Sequence, residues 1–139
     1  MIKVFFSKYL NYSYKFKNKF DIKIIEKPGL WYTDKKLDEL VQDLRSIAAE
    51  CSDGDLDYGA LNGDRKVLSK NIITIIYDIQ SQQPIAFNAL TLIPIKLNGR
   101  KDELLHLGLV NVKPDFRSAG LTWALYGLTV SVILARRQF

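Results

Sequence analysis

Val112-Lys113-Pro114-Asp115-Phe116-Arg117-Ser118-Ala119-Gly120-Leu121-Thr122 lies between a run of apolar strand formers and a long apolar helix former, and reads V-x-P-x-x-R-x-x-G-x-T. A strand that enters a short basic turn containing glycine, and leaves it as a helix, points the helix's first free N–H groups at one spot. Such a cluster of donors suits an anion, and phosphate above all. Which anion it suits is decided by the residues on either side.

Upstream, Leu104 to Val112 reads as a strand with two residues that do not belong in a plain buried one, His106 and Gly108. A glycine inside a strand marks a bulge, or a place where a ligand or another backbone comes close. By period two, His106 shares a face with Gly108, Val110 and Val112, so the only histidine is expected to point the same way as the two valines nearest the turn. Asn98-Gly99 supplies a tight hairpin into this strand from another over Ile85 to Leu97, in which Pro94 implies a bulge or a length that has left the ladder. Ser81-Gln82-Gln83-Pro84 turns the chain out of Ile72 to Ile79, a β-branched run of the kind covered on both faces.

Earlier still, residues 52–66 are rich in Asp and Gly and read as a long loop. Its spacing Asp53-x-Asp55-x-Asp57-x-Gly59 is not a calcium loop, because the glycine falls one place late and Asp64 stands where a bidentate Glu is needed. The expectation is an acidic segment lining a site for a cationic acceptor, with no metal. Before it, Leu37, Leu40, Val41, Leu44, Ile47, Ala48 and Cys51 form one apolar helical stripe, capped by Thr33 or Asp34. Cys51 lies on that stripe and reads as a small buried hydrophobe. Residues 21–26 form a strand that stops at Lys27-Pro28-Gly29, and Tyr12, Tyr14 and Phe16 alternate with Ser13, Lys15 and Lys17 as a half-buried strand does.

These elements make a mixed α/β, α+β-like chain: a central, largely antiparallel sheet flanked by helices. At 139 residues and 47% hydrophobic content it is one domain over residues 1–139, with 1–20 as a basic, aromatic extension and 21–139 as the core. A single cysteine excludes an internal disulfide framework, and a single histidine excludes the usual Cys/His zinc sites. Of the net charge of +5, the excess is N-terminal, since the first 36 residues hold nine lysines against three acids. The lysines fall on the solvent face of a strand, so nucleic acid is not an expected partner. The N-terminus lacks the form of a secretory signal, and a cytoplasmic setting is the expectation.

The same residues resemble the GNAT superfamily of acyl-CoA N-acyltransferases. The likeness covers the order of elements over about residues 20–137 and is most specific at V-x-P-x-x-R-x-x-G-x-T. The family signature is [Q/R]-x-x-G-x-[G/A]; Arg117 and Gly120 meet two of its three positions and Thr122 departs from the third. There the branched side chain crowds a pyrophosphate or its hydroxyl adds a bond, and both readings stand. The resemblance implies that Ser118, Ala119, Gly120, Leu121 and Thr122 hold the pyrophosphate of acetyl-CoA through backbone N–H groups, with Arg117 adding charge. It implies that Val110, Asn111 and Val112 pair with the pantetheine arm like an added strand. Family members often carry a general base eleven residues before the Q/R, where His106 stands, in a run similar to that of arylalkylamine-type acetyltransferases. Imidazole as a side-chain type titrates near neutrality and suits removal of a proton from an ammonium.

The implied activity is transfer of an acetyl group from acetyl-CoA to a primary amine, borne by a small molecule or a protein. A non-catalytic acyl-CoA-binding or dimerisation module of the same fold is the alternative. Family members continue past the motif helix, so the expectation is a core truncated there, or a sheet completed by a second copy in a homo-oligomer. Ser118 to Ala135 are eighteen uncharged residues, about 27 Å as a helix, close to the hydrocarbon core of a bilayer. A membrane anchor over 118–135 is therefore a further alternative to a buried helix, which is the preferred expectation.

Overall fold

A computed structural model describes residues 8–51 and 59–137. Five strands, β1 (Asn11–Phe16), β2 (Phe20–Glu26), β3 (Asn71–Asp78), β4 (Pro84–Leu97) and β5 (Arg100–Val112), lie in one sheet in chain order. Every neighbouring pair is antiparallel. The basic stretch expected as an extension thus supplies an edge strand of the sheet, with Tyr12 and Phe16 packed inward and Lys15 exposed.

Between β2 and β3 run a single helical turn α1 (Pro28–Trp31), the long helix α2 (Asp34–Cys51), a 3-10 turn Gly59–Asn62 and a short helix α3 (Arg65–Leu68). Lys27-Pro28-Gly29 was expected only to break the strand; Lys27 adopts a left-handed conformation and Pro28 opens the turn of α1. Thr33 Oγ1 accepts the Lys36 N–H at 3.2 Å at the head of α2, and the stripe Leu37, Leu40, Val41, Leu44, Ile47 and Ala48 is buried throughout. The expectation of a structureless loop over 52–66 fails in its second half. Asp64 accepts the Lys66 N–H at 2.9 Å and so caps α3, while Ala60, Leu61 and Leu68 are buried. Residues Asp53, Asp55 and Asp57 lie outside the described residues.

β3, in the middle of the sheet, is buried at every position but Tyr77, as a strand covered on both faces must be. One face packs on α2, through Ile25, Ile73, Ile75, Phe87 and Ala89. The other packs on the C-terminal helix, through Ile22, Ile76 and Ala86 toward one end and Ile24, Ile72 and Leu90 toward the other. Pro94 sits in unbroken register opposite Glu103, beyond Thr91, the last residue that β4 pairs with β3, so its missing N–H costs no bond with that strand.

The C-terminal helix opens with six π-helical residues, Trp123–Leu128, and continues as α4 (Thr129–Arg137). The uncharged run of 118–135 is therefore part turn and part helix, and among the described residues no helix is long and apolar enough to cross a membrane. Side chains of the sheet and of the helix itself reach two carbonyls of the wider π turn. Asn88 Nδ2 donates to Leu125 O at 2.6 Å; Thr129 Oγ1 donates to Ala124 O at 2.9 Å and accepts from Thr74 Oγ1 at 2.6 Å. Thr129→Val keeps the shape but strands a buried hydroxyl and a buried carbonyl. We expect a loss of about 2–3 kcal/mol in chemical denaturation, partly recovered by adding Thr74→Val, which removes the orphan hydroxyl. Equal stability of single and double variants would show that the pair does not hold the π turn.

Candidate functional site

β5 and the turn after it place the residues singled out from sequence. Lys113 N–H donates to Ile85 O at 2.8 Å, and backbone groups alternate along a paired strand, so Val112 and Val110 turn theirs to the free edge of the sheet and Asn111 turns its own toward β4. Val112 O is already engaged, accepting from Arg117 Nε at 3.1 Å and from Cys51 Sγ at 3.2 Å. Cys51 is thus a half-buried hydrogen-bond donor as well as an apolar filler. Arg117 is exposed; its Nε is tied to the strand, and its two Nη groups have no described partner.

The turn is anchored by its apolar members. Phe116 meets Phe20 edge to face, with centroids 6.4 Å apart, and Leu121 is buried with Ile22, Ile76 and Leu125. Gly120 has φ 72° with open space where a side chain would start, so glycine serves the backbone here and clears no clash. Described backbone bonds in the turn end at Ala119 N–H to Phe116 O, 3.1 Å, and resume at Ala124 N–H to Leu121 O, 3.0 Å. The N–H groups of Gly120, Leu121, Thr122 and Trp123 lie between with no described acceptor. Ser118, Gly120 and Thr122 are exposed around them, and Ala119 is half-buried.

His106 does not share the face of Val110 and Val112. Ala89 pairs with Leu109 and Thr91 with His106, so Leu107 and Gly108 together oppose Leu90 in a bulge. An extra residue reverses the alternation. His106 therefore lies on the α2 face with Thr91 and Leu109, whereas Val110 and Val112 pack toward the C-terminal helix. The glycine is required at this point: a Cβ on Gly108 would stand 2.2 Å from Ala89 O.

On its own face, His106 ends a polar row across three strands, Asn71 opposite Thr91 and Thr91 opposite His106. Together with Gly108, Ala60 and Val67 they line a cavity of about 90 Å³. Asn71 is 3% exposed; its Nδ2 donates to Thr91 Oγ1 at 3.1 Å and to Leu90 O at 3.4 Å. Its Oδ1 is buried with no partner. Sequence reading missed this row, because Asn71, which opens β3, and Thr91, in mid-β4, are ordinary strand residues until the register aligns them.

A larger cavity, about 470 Å³, was also missed; it lies between α2 and β1, β2 and β3. In its wall the Tyr77 hydroxyl donates to Asp43 Oδ2 at 2.5 Å, and Lys23 Nζ stands 5.2 Å from the Tyr77 ring centre. Burial first, then the bond to Asp43 and its charge, push the Tyr77 phenol far above its ordinary value, and burial raises Tyr32 in the same wall. The one signal in the sequence was a tyrosine interrupting the β-branched run of β3.

Among the described residues no cluster of three or more His, Cys, Asp or Glu is placed to hold a metal ion. Compared with protein-family models, with curated proteins and with solved structures, the chain matches none.

Proposed function

We propose that the chain is an acyl-CoA N-acyltransferase domain of the GNAT type, which transfers an acetyl group from acetyl-CoA to a primary amine. One observation carries the reading: four successive N–H groups without described acceptors, Gly120 to Trp123, stand where an edge strand turns into a helix. The residues present fit the cosubstrate. Those donors and the free Nη groups of Arg117 suit a pyrophosphate, and the outward backbone groups of Val110 suit the amides of a pantetheine arm. Engagement of Val112 O by such an arm displaces Arg117 Nε from it, freeing the whole guanidinium for the phosphates.

His106 then acts as the base. It takes a proton from the acceptor ammonium, the freed amine forms the amide bond as the thioester C–S bond breaks, and CoA leaves as its thiol. A second reading, a binding or dimerisation module of the same fold, is favoured by exposed Leu97, Leu104 and Leu107 along β4 and β5 beside the uncovered sheet edge. Calorimetry with acetyl-CoA, followed by turnover with a panel of amines, separates the two. Saturable binding and an acylated amine are expected. Binding without turnover favours the second reading, and absence of binding overturns both.

A further inference from the structure

The 470 Å³ cavity beside α2 has no part in the proposed acyl transfer, and unengaged hydrogen-bond donors dominate its wall. It exists because α2 packs on β2, β3 and β4 and leaves the edge strand β1 uncovered, with Asn11 and Ser13 exposed. Ser13 opposes Lys23 and Lys23 opposes Ile75, so one row runs from the exposed edge into the buried core beneath the helix. Lys36, Leu40 and Asp43, at i, i+4 and i+7 on one face of α2, line the other side. The volume of 470 Å³ lies within the range of small-molecule sites, roughly 300–1,000 Å³.

Lys23 and Lys36 form no ion pair with a described carboxylate. Their Nζ atoms stand 5.2 Å from the ring centre of Tyr77 and 5.9 Å from that of Tyr32. The half-buried Tyr32 hydroxyl has no described acceptor, so it too has a hydrogen to give. Asp43, by contrast, already accepts from the Tyr77 hydroxyl, and Glu39, the other lining carboxylate, is exposed to water. A ligand rich in acceptors and carrying negative charge matches those donors, and the rings of Tyr32 and Tyr77 offer apolar walls to its body.

We infer that this cavity binds a small organic oxyanion, a carboxylate or phosphate head on a ring-sized apolar body, with Lys23 and Lys36 supplying the charge that attracts the head. It lies over β1 to β3, at the side of the sheet opposite β5, and stands or falls apart from the acyl-transfer reading. The whole chain, isotope-labelled for NMR and titrated at low salt with benzoate or with phenyl phosphate, should show saturable shifts at the amides of Lys23, Leu40 and Tyr77 for at least one of them. The tighter of the two identifies the head. Benzylammonium, the same ring with the opposite charge, should leave those amides unmoved. Lys23→Gln combined with Lys36→Gln, checked for an unchanged circular dichroism spectrum, should weaken the anion by about tenfold or more. Lys35→Gln, next to Lys36 in sequence but outside the cavity wall, should change the affinity by less than about twofold. No saturable shift from either anion, equal shifts from benzylammonium, undiminished binding in the folded double variant, or an equal loss in Lys35→Gln would each overturn the site.

Discussion

Replacing His106 by alanine should lower turnover of a primary amine by about 10²–10⁴-fold and leave the affinity for acetyl-CoA unchanged. The separation follows from where the side chain lies. His106 is exposed on the α2 face of β5, while the N–H groups proposed to hold the pyrophosphate lie beyond the other end of the strand. Its removal opens no buried cavity, so the fold has little to lose. Steady-state kinetics with a saturating amine and calorimetry with acetyl-CoA, on the same preparation, read the two effects apart. A parallel fall in both would mean that His106 supports the strand and moves no proton. Unchanged turnover would remove it from the chemistry altogether.

Gly108→Ala should destabilise the protein by about 3 kcal/mol, at the upper end of what overpacking costs. The new Cβ would stand 2.2 Å from Ala89 O, a backbone atom of the adjacent strand that no rotamer change can move aside. Relief requires β4 and β5 to separate locally or the bulge to be expelled. Expulsion would restore strict alternation and carry His106 to the face of Val110 and Val112, away from Thr91 and Asn71. The variant should therefore lose amine turnover as well as stability. A denaturation midpoint within about 1 kcal/mol of wild type would show that the strand accommodates the methyl group and that the bulge is not held by this glycine.

Both expectations turn on one element that was only half legible in the sequence. Gly108 in an apolar strand announced a bulge or a close approach, and the close approach is present. Period-two alternation, however, holds only along an uninterrupted ladder. Carried across Gly108, it assigned His106 to the wrong face, because one inserted residue reverses the parity of everything before it. The stripe of α2, the buried run of β3 and the hairpin at Asn98-Gly99 were legible for the opposite reason. Their periodicity is local and nothing in the tertiary structure interrupts it. The second half of the expected loop over 52–66 is helical instead, because its structure comes from one cap, Asp64, and from burial of scattered residues, and neither leaves a period.

By itself, then, the sequence determined the class of the fold, most of its strands, the long helix and the turn from Val112 to Thr122, since each rests on local hydrophobic pattern or turn chemistry. Tertiary structure alone decided which face His106 occupies, that Asn71 and Thr91 join it, and that Arg117 is tied to Val112 O. Those facts depend on inter-strand register and on which carbonyls remain unpaired after packing, and a linear pattern encodes neither.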